Sequence, residues 1–256
     1  MLWGSFGVVH ILTLVLAVGI LAGLYFLLKG QSDRVKIAVL GALSFVGVIA
    51  VFVNLIVWGS PLEYLPFHLC SINALVLPFA VFSRNKTLNN LVLFWGLCAL
   101  AAILFNGGQA HYEVFSWPFV LYYFPHLLEG GIPLLMFALK LVEKDARCLF
   151  STLAITGAVY NVVHVINLAV NAYCLNAQII GLSGQVVQVN YMYSLSPENS
   201  MFRIFYGVLP YPYWYMYVAV LAMTACLILV YSPQIYASVR RRRSAGNVRL
   251  QKKKDA

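Results

Sequence analysis

Seven apolar stretches, near residues 8–28, 36–58, 67–83, 88–105, 118–141, 148–171 and 209–232, occupy most of this 256-residue chain and carry almost no charge. A hydrocarbon core of about 30 Å takes roughly 20 helical residues to cross. A spanning backbone must satisfy its own N–H and C=O groups, as a helix or a closed barrel. The stretches are continuously apolar rather than alternating, which excludes a barrel. Only 10% of the residues are charged and the mean hydropathy is +0.83, whereas charged residues make up about a quarter of a soluble domain. The expected fold is an all-α polytopic membrane bundle of about seven transmembrane helices.

The basic residues orient that bundle. Lys29, Arg34 and Lys36 lie between the first two spans, Arg84 and Lys86 between the third and fourth, and Lys140, Lys144 and Arg147 between the fifth and sixth. The tail adds Arg240 to Arg243, Arg249 and Lys252 to Lys254. Sixteen of the 17 basic residues therefore share one side, and Arg203 alone takes the other. By the positive-inside rule the N-terminus is outside and the C-terminus cytoplasmic. The net charge of +9 is then a cytoplasmic collar suited to anionic headgroups, not a nucleic-acid footprint. Residues 1–28 lack the basic n-region and cleavage site of a signal peptide, so they are read as a retained first helix. One transmembrane domain over 1–236 and a basic cytoplasmic tail over 237–256 follow, with the cell membrane as the expected location. No internal repeat of the transporter kind stands out.

On this topology polar residues gather toward the outer half. The run Pro66-Phe67-His68-Leu69-Cys70-Ser71-Ile72-Asn73 opens the third span, and a helix starting near Pro66 puts Cys70 about 6 Å below the boundary. Tyr122, His126, Glu129 and Pro133 follow at spacings of four, three and four, and so do Tyr160, His164, Asn167 and Asn171. Each set shares one helix face. Polar groups at such depth face the interior or a water-filled cavity. A thiol becomes a nucleophile when an imidazole takes its proton and a carboxylate or amide fixes the ring. Cys70, His126 and Glu129 supply those types. His68 is the weaker base, because residues two apart on a helix do not face each other. The competing reading makes the same Asn, Ser and His groups hydrogen-bonding glue between helices and Cys70 a small hydrophobe. A Cys70–Cys174 disulfide is a third alternative in an oxidising exterior. Cys98, Cys148 and Cys226 read as packing residues. No metal or cofactor is called for. The segment 172–200 is too polar to span and too apolar for a free linker, and is expected to cap the outer cavity. Tyr211, Tyr213, Trp214, Tyr215 and Tyr217 read as an interfacial aromatic belt.

Several runs resemble the YwaF / transmembrane protein 164 family of integral membrane proteins. They are Leu65 to Ile72, Leu77-Pro78-Phe79-Ala80 with the basic cap Arg84, Phe94-Trp95-Gly96-Leu97, Tyr123-Phe124-Pro125-His126 with Gly130-Gly131-Ile132, and Asn190-Tyr191-Met192-Tyr193. The likeness covers roughly residues 60–217, and the His-Leu-Cys and Asn-Tyr-Met-Tyr runs are its specific parts. The resemblance implies an acyltransferase in which Cys70 carries a fatty acyl thioester and His126 is the general base. Acyl chains would pass between phospholipid and lysophospholipid. In plan the chain is also similar to the androgen-induced membrane lipid hydrolases, where a threonine replaces the cysteine. It departs from its relatives before the last span, where Arg203 stands in place of an acidic residue and Pro210-Tyr211-Pro212-Tyr213 keeps only the Pro-aromatic core. The expected site is Cys70 and His126, with His68, Asn73, Tyr122, Glu129, Tyr160, His164, Asn167, Asn171, Asn190 and Tyr191 as supporting or cavity residues. A transporter or lipid-binding protein with a polar outer cavity is the alternative.

Overall fold

A computed structural model describes residues 1–105, 109–198 and 200–254. They form eight α-helices and, among the described residues, no strand: α1 (Val8–Leu28), α2 (Asp33–Val57), α3 (Leu69–Ser83), α4 (Lys86–Phe105), α5 (Trp117–Ala138), α6 (Cys148–Asn176), α7 (Ser200–Val208) and α8 (Tyr215–Lys254). Six are long and apolar enough to cross a membrane: α1, α2, α4, α5, α6 and the Tyr215–Gln234 part of α8. The expected third span is a helix of 15 residues, about 22 Å long at 1.5 Å per residue. The short α7, which follows the capping segment, is not apparent from hydropathy alone.

Several boundaries differ from expectation because caps, not hydropathy, set them. Ser32 Oγ accepts the Val35 N–H and starts α2 at Asp33, and Ser116 Oγ accepts the Phe119 N–H and starts α5 at Trp117. α5 ends at Ala138 because Lys140 turns left-handed. The last helix starts at Tyr215 rather than 209, since Pro210 and Pro212 cannot donate to a helical ladder. α8 runs unbroken to Lys254. The tail cluster Arg241 to Arg243, Arg249 and Lys252 to Lys254 lies outside the side chains described.

α4 and α5 form the centre, and most of their membrane-spanning residues are buried. Gly96 of α4 and Gly130 of α5 let the two backbones touch. A Cβ on Gly96 would meet the Glu129 carbonyl oxygen at 2.6 Å and Gly130 Cα at 3.0 Å, and one on Gly130 would meet the Gly96 carbonyl at 2.7 Å. Small residues are how helices approach closely in lipid, where no hydrophobic force drives them together. α1 packs on α5 through Trp3, Phe119 and Tyr123. Trp3 Nε1 donates to Thr13 Oγ1 at 2.9 Å, and Tyr123 Oη donates to the Thr13 carbonyl. Buried His10 is satisfied at both nitrogens, by the Phe6 N–H and the Ile103 carbonyl.

Contacts between connections sort them to two ends. Lys86 Nζ lies 2.6 Å from Asp145, which also holds Arg147 at 3.1 Å, and Asp33 holds Lys36 and Arg84. These form the basic end, with the ends of α3 and α5 side by side. At the other end the N-terminus pairs with residues 110–114, while Glu63 accepts the Leu182 N–H. The alternation of ends agrees with the expected odd and even spans.

Lys86 and Arg147 hold the Asp145 carboxyl below the usual carboxylate range. This contribution is complete above the ordinary aspartate pKa near 4 and fades only as pH falls toward the lower folded-state value. Asp145→Asn should therefore lower the thermal midpoint of the detergent-solubilised protein at neutral pH, with the gap to wild type closing well below pH 4. Gly96→Ala should cost about 1–3 kcal/mol by overpacking, whereas Gly157→Ala, whose Cβ meets open space, should leave the midpoint unchanged or higher.

Candidate active site

The Phe67 N–H closes a tight turn on the Leu65 carbonyl across Pro66, and α3 opens at Leu69 with His68, in extended conformation, as its N-cap residue. Cys70 is the second helical residue, about one 1.5 Å rise in rather than the 6 Å expected from a start at Pro66. His68 is therefore not a helical neighbour of Cys70 on the wrong face. Its Nδ1 accepts the Met192 N–H at 3.3 Å, and its ring lies 5.6 Å from Tyr191 and 5.3 Å from Tyr193.

α5 supplies Tyr122, His126 and Glu129 on one face. His126 Nδ1 lies 2.7 Å from the Tyr122 carbonyl, and the two ring centroids are 4.2 Å apart with the planes tilted by 31°. A carbonyl only accepts, so Nδ1 carries a proton, and in the neutral tautomer this selects the lone pair is on Nε2. One turn deeper, Pro133 has no N–H for the Glu129 carbonyl. Asn73 of α3 takes that orphan, donating from Nδ2 at 3.5 Å. The Glu129 side chain is 3% exposed and sits against Gly47 and Ala74, with Oε1 3.4 Å from where a Gly47 Cβ would stand. Its Oε2 and Asn73 Oδ1 are buried without a hydrogen-bond partner.

This contact sets the register of the site. α3 and α5 run parallel and meet where Asn73 reaches Glu129. Three residues, about 4.5 Å, back along each helix lie Cys70 and His126. Cys70 is electrostatically coupled to Tyr122 and to Glu129, the residues above and below His126 on the α5 face, and also to Tyr193 and Cys98. By helix rise Cys70 and His126 are equally far from the Asn73–Glu129 contact along their own helices. Cys70 and Cys174 are both free, and Cys174 is fully buried in a separate cluster with Tyr160, Val187 and Tyr191. Cys98 is half-buried beside Cys70, and Cys226 is exposed rather than packed.

The α6 stripe stands apart from this pair and holds the cap over it. Asn167 accepts the Tyr191 N–H at 2.9 Å and donates to the Tyr191 carbonyl at 2.8 Å. Asn171, one turn on, accepts the Val189 N–H at 2.7 Å and donates to its carbonyl at 2.9 Å. Amides four apart on the helix therefore read backbone two apart on an extended strand. Ser194 Oγ bridges Asn167 and His164 Nδ1, each at 2.9 Å. Tyr160 donates to the Tyr213 carbonyl at 2.7 Å. Asn190 ties Leu195, Ser196 and Glu198 into a turn, and Tyr191 Oη donates to the Leu62 carbonyl. Tyr193, left-handed at φ 55°, is the cap residue coupled to Cys70.

The TMEM164 family model matches residues 5–231. The chain belongs to the TMEM164 family. No curated protein and no solved structure matches it in the parallel comparisons. The family match spans all of α1 to α7 and most of the membrane part of α8, so the chain is an integral membrane protein of that family along nearly its whole length. Among the described residues no group of His, Cys, Asp and Glu has the arrangement of a metal site.

Sequence reasoning did not single out Tyr193, Ser194 or the pairing of Cys98 with Cys70. The Asn-Tyr-Met-Tyr run pointed to the segment but not to its side chains, because a cap's tertiary partners follow no helical period. Asn167→Ala would orphan buried groups on Tyr191 and Ser194, at about 1–3 kcal/mol each. The expected result is a lower thermal midpoint and faster proteolysis within 186–194, with Asn176→Ala, an exposed amide at the end of the same helix, as the unaffected control.

Proposed function

We propose that this chain is a multi-pass membrane acyltransferase that moves fatty acyl groups between phospholipid and lysophospholipid through a thioester on Cys70. The reading rests on His126, whose Nδ1 is tied to the Tyr122 carbonyl so that Nε2 is the nitrogen able to act as base, on the α5 face whose Tyr122 and Glu129 interact electrostatically with Cys70. His126 Nε2 takes the thiol proton, and the thiolate attacks the ester carbonyl of a phospholipid. The tetrahedral adduct expels the lysolipid alkoxide, which takes the proton back from His126, and the acyl group stays on sulfur. A second lysolipid hydroxyl, deprotonated by His126, attacks the thioester and restores the thiol. Glu129 lies one turn deeper on the same face of α5 and interacts electrostatically with His126. Acyl tails stay in hydrocarbon while the ester reaches the first turn of α3, under the cap of Tyr191 and Tyr193. With the basic end cytoplasmic, this mouth opens toward the outer leaflet of the cell membrane.

A transport or lipid-binding reading draws on the unpartnered Glu129 Oε2 and Asn73 Oδ1, which suit a polar ligand. The two readings separate at one residue. Purified protein in nanodiscs containing an alkyne-acyl phospholipid should acquire a hydroxylamine-sensitive label, absent in Cys70→Ser and reduced at least a hundredfold in rate in His126→Gln. Absence of label with Cys70 shown reduced overturns the acyl-transfer reading, and ligand passage that survives Cys70→Ser supports the alternative.

A further inference from the structure

The basic end holds a cavity of about 370 Å³ between the last turn of α1, the first turn of α2 and the end of α5. Its charged lining is Lys29, Lys36, Lys140 and Asp33, with Tyr25 beside them. The lining's net charge is +2. Three features set this cluster apart from an ordinary cytoplasmic collar. Lys36 is only 9% exposed, rare for a lysine. Its one carboxylate contact is Asp33 at 3.4 Å, which is largely exposed and shared with Arg84. Lys29 rests over the Phe26 ring with no acid beside it among the described residues. Lys140 has φ 60° at the end of α5, where the Leu141 N–H closes on the Met136 carbonyl. That is the C′ position of a Schellman turn, which glycine fills most readily. A lysine there sets backbone strain against what its ammonium does, and its side chain lines the cavity.

We infer that this cavity binds a phosphomonoester dianion. A phosphomonoester carries close to two negative charges at neutral pH, matching the lining, and lysine binds phosphate as a point charge. The start of α2 adds its positive dipole end and free N–H groups, and Tyr25 adds a hydroxyl donor. The cavity lies where α1, α2 and α5 leave the apolar layer, so the phosphate can belong to a lipid headgroup or come free from the aqueous side. The site is at the opposite end of the bundle from Cys70 and does not depend on its chemistry.

The test is calorimetric titration of the full chain in neutral detergent with dioctanoyl phosphatidic acid, inorganic phosphate and dioctanoyl phosphatidylcholine. Saturable binding is expected for the phosphomonoester probes and at least tenfold weaker binding for phosphatidylcholine. Phosphatidic acid tenfold tighter than inorganic phosphate identifies a headgroup, and equal affinities identify a free phosphate; both uphold the site. Lys140→Gly should weaken binding at least tenfold while raising the thermal midpoint, opposite movements that a purely structural lysine would not produce. Lys36→Gln should weaken binding likewise, and Arg34→Gln, exposed at the same end but outside the cavity, should stay within twofold. No saturation by either phosphomonoester, unchanged binding in Lys140→Gly, or an equal loss in Arg34→Gln overturns the inference.

Discussion

The carbonyl of Glu129 is the point on which the bundle turns. Pro133 removes its helical partner, Asn73 of α3 takes it over, and Gly96 of α4 lies so close that a Cβ would collide with it. Two helices thus converge on one backbone group of a third. A free carbonyl in a dry interior costs several kcal/mol, so the proline makes the α3 contact obligatory. That contact fixes the relative height of α3 and α5, with Cys70 and His126 equally far from it along their own helices. The Glu129 side chain itself is buried beside Gly47 of α2 and Ala74 of α3.

A second economy of polar groups operates on α6. Backbone outside a helix cannot lie in an apolar layer unless its N–H and C=O groups are satisfied. Asn167 and Asn171 solve this by acting as a sheet edge, each giving one donor and one acceptor to alternate residues of the cap. The arrangement puts Tyr191 and Tyr193 against His68, and His68 in turn receives the Met192 N–H. The glue and site readings of the polar stripe are therefore not exclusive: α6 holds the cap, and the cap walls the first turn of α3.

Polarity is divided between the ends. The basic end joins its connections by ion pairs around Asp145 and Asp33, while the opposite end uses amide, hydroxyl and aromatic contacts, with Glu63 reaching across to Leu182. Charges that pair weakly in water still organise an end by their number and sign. Lys29 and Lys140 are the exception, since among the described residues neither has a carboxylate beside it and with Lys36 they line open space.

Much of the architecture was legible from residues 8–232, because an apolar run of about 20 residues has few alternatives in lipid. Candidate residues on α5 were legible because a helix repeats, so spacings of four and three declare a shared face. Helix ends were less so: Ser32, Ser116 and the left-handed Lys140 settle them through single hydrogen bonds that hydropathy averages away. The sequence by itself determined the all-helical membrane fold, the segregation of basic charge to one end, and the family. Tertiary structure decided that α3 meets α5 through Asn73 and Glu129, that Asn167 and Asn171 hold the cap, and that Cys174 packs elsewhere. Those outcomes depend on one proline-freed carbonyl and two facing glycines, whose effect exists only once the helices that they join are side by side.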